Sequence, residues 1–165
     1  MEYEAFFRRF DALTESEREQ LTQLTIVPRS VFRRWLTHPS RDQLYAGCVR
    51  AGDQIVAWAA ANTMDDPRIL TVGVFVHPDR RGRGCARQAL DVLLDGMRHI
   101  VRTPHTHANY MEGRERVFRP SVERFGFIDF HRPGVREEFL RAQLAREQMR
   151  AAERRAALAE RTRDS

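Results

Sequence analysis

The stretch HPDRRGRGCARQAL, His77 to Leu90, sets four arginines and two glycines between an apolar β-rich run and an amphipathic helical pattern. A strand-to-helix turn needs one glycine, and a solvated surface rarely crowds its arginines so closely. Helix N-termini present N–H groups with no partner inside the helix and carry partial positive charge. A glycine-rich entry lets an anion approach those donors, and Arg81, Arg83 and Arg87 can add charge-assisted bonds. The spacing therefore predicts a phosphate site at this junction. A dinucleotide fingerprint fits poorly, since Gly82-Arg83-Gly84 lacks the third glycine, and the Gly-Lys-Ser/Thr ending of a P-loop is missing. A surface arginine cluster without a ligand is the competing reading.

Periodicity on either side of the junction predicts a mixed α/β fold. The first residues are ambiguous: Tyr3, Phe6, Phe7, Phe10 and Leu13 recur at helical spacing, while Tyr3, Ala5 and Phe7 alternate as in a strand. Thr14 with Glu17 forms a capping-box signature and favours a helix over Glu15–Leu24. Ser30 can cap a short helix, Val31–Leu36, that stops near His38-Pro39. Strands over Leu44–Arg50, Gln54–Asn62 and Ile69–Val76 follow, joined by turns at Ala51-Gly52-Asp53 and Met64-Asp65-Asp66-Pro67, and predict an antiparallel meander. Ala86, Leu90, Leu93, Leu94, Met97, Ile100 and Val101 share one helical face, which predicts a helix over Gly84–Arg102, ended by Thr103-Pro104. His105–Met111 reads as a strand. Val117, Phe118, Val122 and Phe125 mark another helix, with Pro120 either in its first turn or kinking it. Gly126 ends that helix and Phe127–Phe130 is the last strand. The remainder is rich in Ala, Arg, Glu and Gln, and its stripe of Val135, Phe139, Leu140 and Leu144 predicts a helix that docks only at its start. One folded domain over 1–134 and a charged helical extension over 135–165 are expected.

Composition narrows the class. With 42% hydrophobic residues in 165, the chain can bury a core. No run approaches a membrane span, and MEYEAFFRRFDAL lacks the apolar core of a signal peptide, so a cytoplasmic location is expected. Cys48 and Cys85 form no C-x-x-C pair, and neither a disulfide framework nor a zinc knuckle is indicated. The net charge of +5 favours anionic partners moderately, and all 28 of the Lys and Arg residues are arginine. Coding bias and avoidance of self-modification by a lysine-modifying enzyme both account for the missing lysines.

The junction resembles the GNAT superfamily of acyl-CoA-dependent N-acetyltransferases. In that family an apolar-x-apolar-x-Pro strand end leads to Arg/Gln-x-x-Gly-x-Gly/Ala at a helix start. Here Val74-Phe75-Val76-His77-Pro78 precedes Arg81-Gly82-Arg83-Gly84-Cys85-Ala86. A helix ending in Gly-Phe before a strand, matched by VERFGFIDF, is a second family feature, and the resemblance covers roughly residues 1 to 131. It implies a mixed, mostly antiparallel central sheet flanked by helices, with acetyl-CoA as acyl donor. It also implies that the amides of Arg81, Gly82, Arg83, Gly84, Cys85 and Ala86 hold the pyrophosphate of the coenzyme. The exposed backbone of Val74, Phe75 and Val76 would pair with the pantetheine arm in the manner of an added strand.

The chain departs from the family where catalysis is concerned. Many members carry a proton-donating tyrosine four residues before the Gly of Gly-Phe, and here that position is Val122. A common asparagine at the start of the same helix is replaced by Glu115. Substitutes must come from the strand His105–Met111, where Tyr110 can donate a proton and His107 can accept one. Three residues apart, they face opposite sides of an ideal strand. Ser121 is too short for direct donation. His105 and His107 lack a third ligand nearby, so no metal is expected, and Asp65-Asp66 reads as a capped turn or as an amine-recruiting pair. Trp35 and Trp58 read as core residues.

The expected activity is therefore N-acetyl transfer to a primary amine of a protein, peptide or small molecule. The alternative is a binding protein on the same scaffold, engaging a partner protein or RNA through its arginine-rich surface and C-terminal helix. Assembly as a homodimer stays open.

Overall fold

In the computed structural model, which describes residues 2–25, 31–37, 43–63, 66–103 and 105–165, the chain divides into two compact units, Met1–Asp129 and Phe130–Ser165. Ser30, His38, Pro39, Met64, Asp65 and Pro104, which the sequence places at caps, turns and helix ends, lie outside the described residues. Among the described residues no helix is long and apolar enough to cross a membrane.

The first unit is built on a six-stranded sheet in sequential order. Its strands are β1 (Glu4–Arg9), β2 (Leu44–Ala51), β3 (Gln54–Asn62), β4 (Ile69–Val76), β5 (His107–Asn109) and β6 (Ile128–Asp129). β1 to β4 pair antiparallel, whereas β4–β5 and β5–β6 are parallel. The helices are α1 (Glu15–Leu24), α2 (Val31–Trp35), α3 (Cys85–Met97) and α4 (Glu115–Arg124). This is the mixed, mostly antiparallel sheet with flanking helices that the sequence predicts.

The ambiguous N-terminal stretch resolves as a strand. Phe7 belongs to the cluster under α3, where its ring stacks parallel to Tyr45 at 5.9 Å, while Phe6 packs into the cluster formed with α1 and α2. A strand covered on both faces needs apolar residues on both, which mimics helical spacing in the sequence. The capping box forms as predicted: the Glu17 N–H donates to Thr14 Oγ1 at 3.1 Å and the Thr14 N–H to Glu17 Oε1 at 2.8 Å. Farther along α1, the Ile55 N–H donates to Gln20 Oε1 at 2.7 Å, and Trp58 Nε1 donates to Thr25 Oγ1 at 3.1 Å just past the helix end.

Several elements are shorter than their patterns suggest. α3 ends at Met97, not Arg102, and Ile100 is exposed beyond it. β5 spans three residues, because the available pairing covers only Ile69–Thr71 on one side and Ile128–Asp129 on the other. Pro120 sits inside α4 beyond its first turn, where its missing N–H removes one helical bond.

Ala89, Leu90, Leu93, Leu94 and Met97 of α3 are fully buried on one face of the sheet, and Leu21, Phe32, Trp35 and Leu36 lie on the other. Close approach of α3 depends on Gly47 of β2, where a Cβ would come within 2.4 Å of the Ala89 carbonyl oxygen and 2.7 Å of Leu93 Cβ.

The second unit carries α5 (Val135–Arg163), which starts after Gly134 in the left-handed region at φ +82°. Phe139 is the buried residue of α5 and meets the Phe130 ring edge-on at 5.6 Å, with the Arg136 guanidinium 5.2 Å from the same ring. Leu140 and Leu144, expected to extend that stripe, are exposed.

Gly47→Ala tests the packing of α3. Overpacking at a rigid backbone contact costs about 1–3 kcal/mol, so thermal unfolding followed by circular dichroism should show a midpoint lower by roughly 2–10 °C.

Candidate functional site

The junction at the end of β4 has the backbone geometry of a candidate anion cradle. After His77, a single 3₁₀ turn over Pro78–Arg80 carries the chain to a tight turn at Arg81–Gly84. His77 caps that turn by accepting the Asp79 N–H at Nδ1, 3.2 Å away. Gly82 and Gly84 both take positive φ, +73° and +78°, which side chains on L residues rarely adopt. Neither has any atom within 4 Å of where a Cβ would lie, so the space in front of the turn is open. Gly84 is the N-cap of α3 and offers no side-chain cap. Gln88 makes the first helical bond to the Gly84 carbonyl at 3.1 Å, so the N–H groups of Cys85, Ala86 and Arg87 find no acceptor within the helix. Arg81, Arg83 and Arg87 are exposed around this end, while Cys85 is buried and packs into the core beneath it. Among the described residues Arg81 and Arg83 have no ion pair, while Arg87 lies 3.4 Å from Asp91.

β4 approaches this cradle with one edge unpaired. The His77 N–H donates to the Val56 carbonyl at 2.7 Å, which makes that residue pair a hydrogen-bonded rung of the β3–β4 ladder. Alternation along an antiparallel ladder then turns the N–H and C=O groups of Val76 and Val74 away from β3. On that far edge β5 pairs only with Ile69, Leu70 and Thr71. From Val74 to Val76 the backbone thus presents donors and acceptors to the gap that β5 has left. Phe75, between them, points to the α2 face, with its ring 5.6 Å from Phe32 and 5.7 Å from Trp58.

The candidate proton-transfer residues are not brought together. Tyr110 is buried in the cluster under α3 and α4, its ring stacked 4.7 Å from Phe118. Its hydroxyl donates to the Asp129 carboxylate, 2.8 and 2.9 Å from the two oxygens, and Arg119 Nε donates to the same carboxylate at 2.7 Å. Burial, then the bond to Asp129, pushes the phenol pKa up. In that geometry the hydroxyl proton is directed at Asp129. His107 pairs with Ile69 in the sheet and faces the other side. Val122 is fully buried, and Ser121 Oγ donates to Asp91 at 2.6 Å. Glu115 accepts the Gly113 N–H at 3.3 Å. Asp66 pairs with Arg68 at 2.8 Å, and its neighbour Asp65 lies outside the described residues. Among the described residues no three His, Cys, Asp or Glu side chains converge as a metal site.

Sequence reasoning overlooked a polar row on the α2 face of the sheet. A Cβ on Gly73 would meet the Phe32 ring at 2.4 Å, so Gly73 and Thr71 of β4 face α2. Asn62 is the rung partner of Thr71, and Asn109 is its partner on β5. Only the strand pairing reveals this alignment, since the three residues are scattered along the sequence.

The family model described as the acetyltransferase (GNAT) family matches residues 7–118. Among solved structures, a Desulfovibrio desulfuricans protein assigned to the GNAT family is 13% identical with a TM-score of 0.51, covering 74% of this chain and 84% of that one. A ribosomal-protein-alanine N-acetyltransferase from Brucella melitensis biovar Abortus is 16% identical with a TM-score of 0.48, over 76% of this chain and 91% of that one. A predicted acetyltransferase from Clostridium acetobutylicum, solved with acetyl-CoA, is 20% identical with a TM-score of 0.45, over 78% of this chain and 91% of that one. No curated protein matches the chain in sequence.

Tyr110→Phe tests the structural role of the hydroxyl. It leaves the buried Asp129 with one donor fewer, at a cost of about 1–3 kcal/mol. Because the folded-state pKa lies above the unbound value of 10.0, the stabilisation is complete below about pH 10 and is lost as the pH rises further. Urea unfolding across that range should therefore show a steeper alkaline decline for the native protein than for Tyr110→Phe.

Proposed function

Since the chain belongs to the GNAT acetyltransferase family, we propose that it is an N-acetyltransferase that moves the acetyl group of acetyl-CoA to a primary amine. The observation that carries this reading is the continuity of two donor arrays. The unpaired edge of β4 at Val74 and Val76 runs directly into the glycine turn and the open N-terminus of α3. An extended amide-bearing arm ending in a pyrophosphate matches that order of sites: the arm adds to the edge as a strand would, and the phosphates take the amides of Arg81 to Ala86. Gly82 and Gly84 keep the approach clear, and Arg81, Arg83 and Arg87 neutralise charge.

Acetyl-CoA supplies an activated thioester. The amine nitrogen bonds to the carbonyl carbon, the carbon–sulfur bond breaks, and the sulfur leaves as thiolate. With Val122 in place of a tyrosine and Tyr110 held by Asp129, the protein contributes chiefly alignment and backbone dipoles, and the amine's proton passes to solvent. The acceptor is a primary amine of a peptide, protein or small molecule. A second reading is favoured by the buried Val122: a scaffold with little turnover that engages a partner through α5. Release of CoA from acetyl-CoA in the presence of amines distinguishes the two, and a pull-down with and without residues 145–165 identifies a partner bound by the tail.

The cofactor site is checked by thermal shift. At about a hundredfold excess over Kd, a ligand bound only by the native state adds about 2.7 kcal/mol, or roughly 5–10 °C for a chain of this size. Acetyl-CoA should give such a shift, and Gly84→Glu should abolish it by placing bulk and negative charge at the helix entrance. A folded Gly84→Glu variant that still responds normally would overturn the assignment.

A further inference from the structure

Asn62 closes β3 after the apolar run Ala57 to Ala61. It is 1% exposed, yet among the described residues neither Oδ1 nor Nδ2 has a hydrogen-bond partner. Buried side-chain amides are normally satisfied, and leaving both ends unmatched destabilises the fold. An apolar residue would suit this position better if packing alone mattered. The neighbours give the amide a context. Thr71 stands opposite Asn62 on β4, and Asn109 stands opposite Thr71 on β5, so the side chains form one row across the α2 face. Thr71 and Asn109 are half-buried, so exposure along the row increases from Asn62 toward β5. It also lies on the last rung before β4 and β5 part, directly beside the strand edge assigned above to the acyl donor. The three side chains offer two carboxamides and a hydroxyl, all neutral.

We propose that this row is the acceptor subsite and that Asn62 is its positioning residue. Oδ1 accepts an N–H of the incoming amine, and Nδ2 donates to an oxygen borne by a neighbouring carbon of the same acceptor. The substrate class is thus a primary amine with a nearby carbonyl or hydroxyl, a chemistry shared by a peptide α-amino terminus and an amino sugar. A carboxylate at this position would favour the ammonium form, which cannot attack; a carboxamide holds the amine without that penalty. The inference rests on the acetyl-transfer reading, but its test does not share that reading's point of failure.

The probes are alanyl-alanine amide, glucosamine, and n-butylamine as an amine without oxygen. The native protein should acetylate one of the first two with a KM at least about tenfold below that for n-butylamine, about one net hydrogen bond in free-energy terms. Asn62→Leu should unfold at a higher temperature than the native protein, by roughly 2–6 °C, because an unmatched buried amide is replaced by an apolar group. It should keep the acetyl-CoA thermal shift, lose the preference over n-butylamine and raise the favoured probe's KM by about tenfold or more. Thr71→Val, which removes one half-buried hydroxyl, should raise KM in the same direction and guards against a misfolded Asn62 variant. A lower unfolding temperature with unchanged KM in Asn62→Leu would mean that an internal water satisfies the amide, and the proposal would fail. It would also fail if the native protein bound acetyl-CoA but did not discriminate among the three amines. Absence of any acetyl-CoA shift in the native protein would instead sink the acetyl-transfer reading itself.

Discussion

Parallel pairing between β4 and β5 ends at Thr71 and Asn109, and the arrangement of the first unit follows from that early parting. β4 continues through Val76 because β3 pairs with its other edge and because Phe75 is held between Phe32 and Trp58. The result is an interior strand with one free edge, which sheets ordinarily cover or pair. His77 through Gly84 then turn the chain so that α3 begins where that free edge ends. Backbone donors therefore lie in sequence along a path that no side chain needs to build. Arginines around the turn add charge to a geometry that the main chain already sets.

On the opposite side of the sheet, polar chemistry serves stability. Asp129 is buried on β6 and receives bonds from Tyr110 and Arg119, while Ser121 is tied to Asp91. The Arg119–Asp129 bond secures α4 to the sheet edge and the Ser121–Asp91 bond ties it to α3, with Phe118 and Val122 buried beneath it. A residue locked in this way is a poor shuttle for protons, because each transfer would strand a buried charge. Under the proposed acetyl transfer, this leaves alignment of an amine with a thioester and polarisation by fixed dipoles.

Much of this was legible in the sequence where the determining interactions are local. The Thr14–Glu17 box set the start of α1 because its partners are three residues apart. The glycine turn declared itself because positive φ at a helix entrance leaves a chemical signature. β1 was ambiguous since apolar residues destined for two different layers imitate a helical stripe. Ile100 and Val101 prolonged the stripe of α3 past its end at Met97. The Tyr110–Asp129 bond spans 19 residues, and nothing in either neighbourhood marks the other as its partner. Asn62, Thr71 and Asn109 become a row only after two strand registers are known.

The contrast between the two faces of the sheet locates the chemistry more sharply than any single residue does. Under α4 the buried carboxylate of Asp129 has two side chains donating to it. On the α2 face, on the rung where β4 and β5 part, a buried carboxamide has neither donor nor acceptor among the described residues. Unmatched polarity, positive-φ glycines and a free strand edge each lower stability on their own. In this chain the unmatched carboxamide, the free stretch of strand edge and two of the positive-φ glycines, Gly82 and Gly84, lie in or beside β4 and the turn that follows it. A sequence shaped for stability alone would spread such defects or remove them, and local rules tend to break where function holds them open. That grouping supports the proposed placement of the reacting groups between the Asn62 row and the free edge of β4. In the proposed arrangement the amine arrives from the α2 face and the acyl donor lies along the strand.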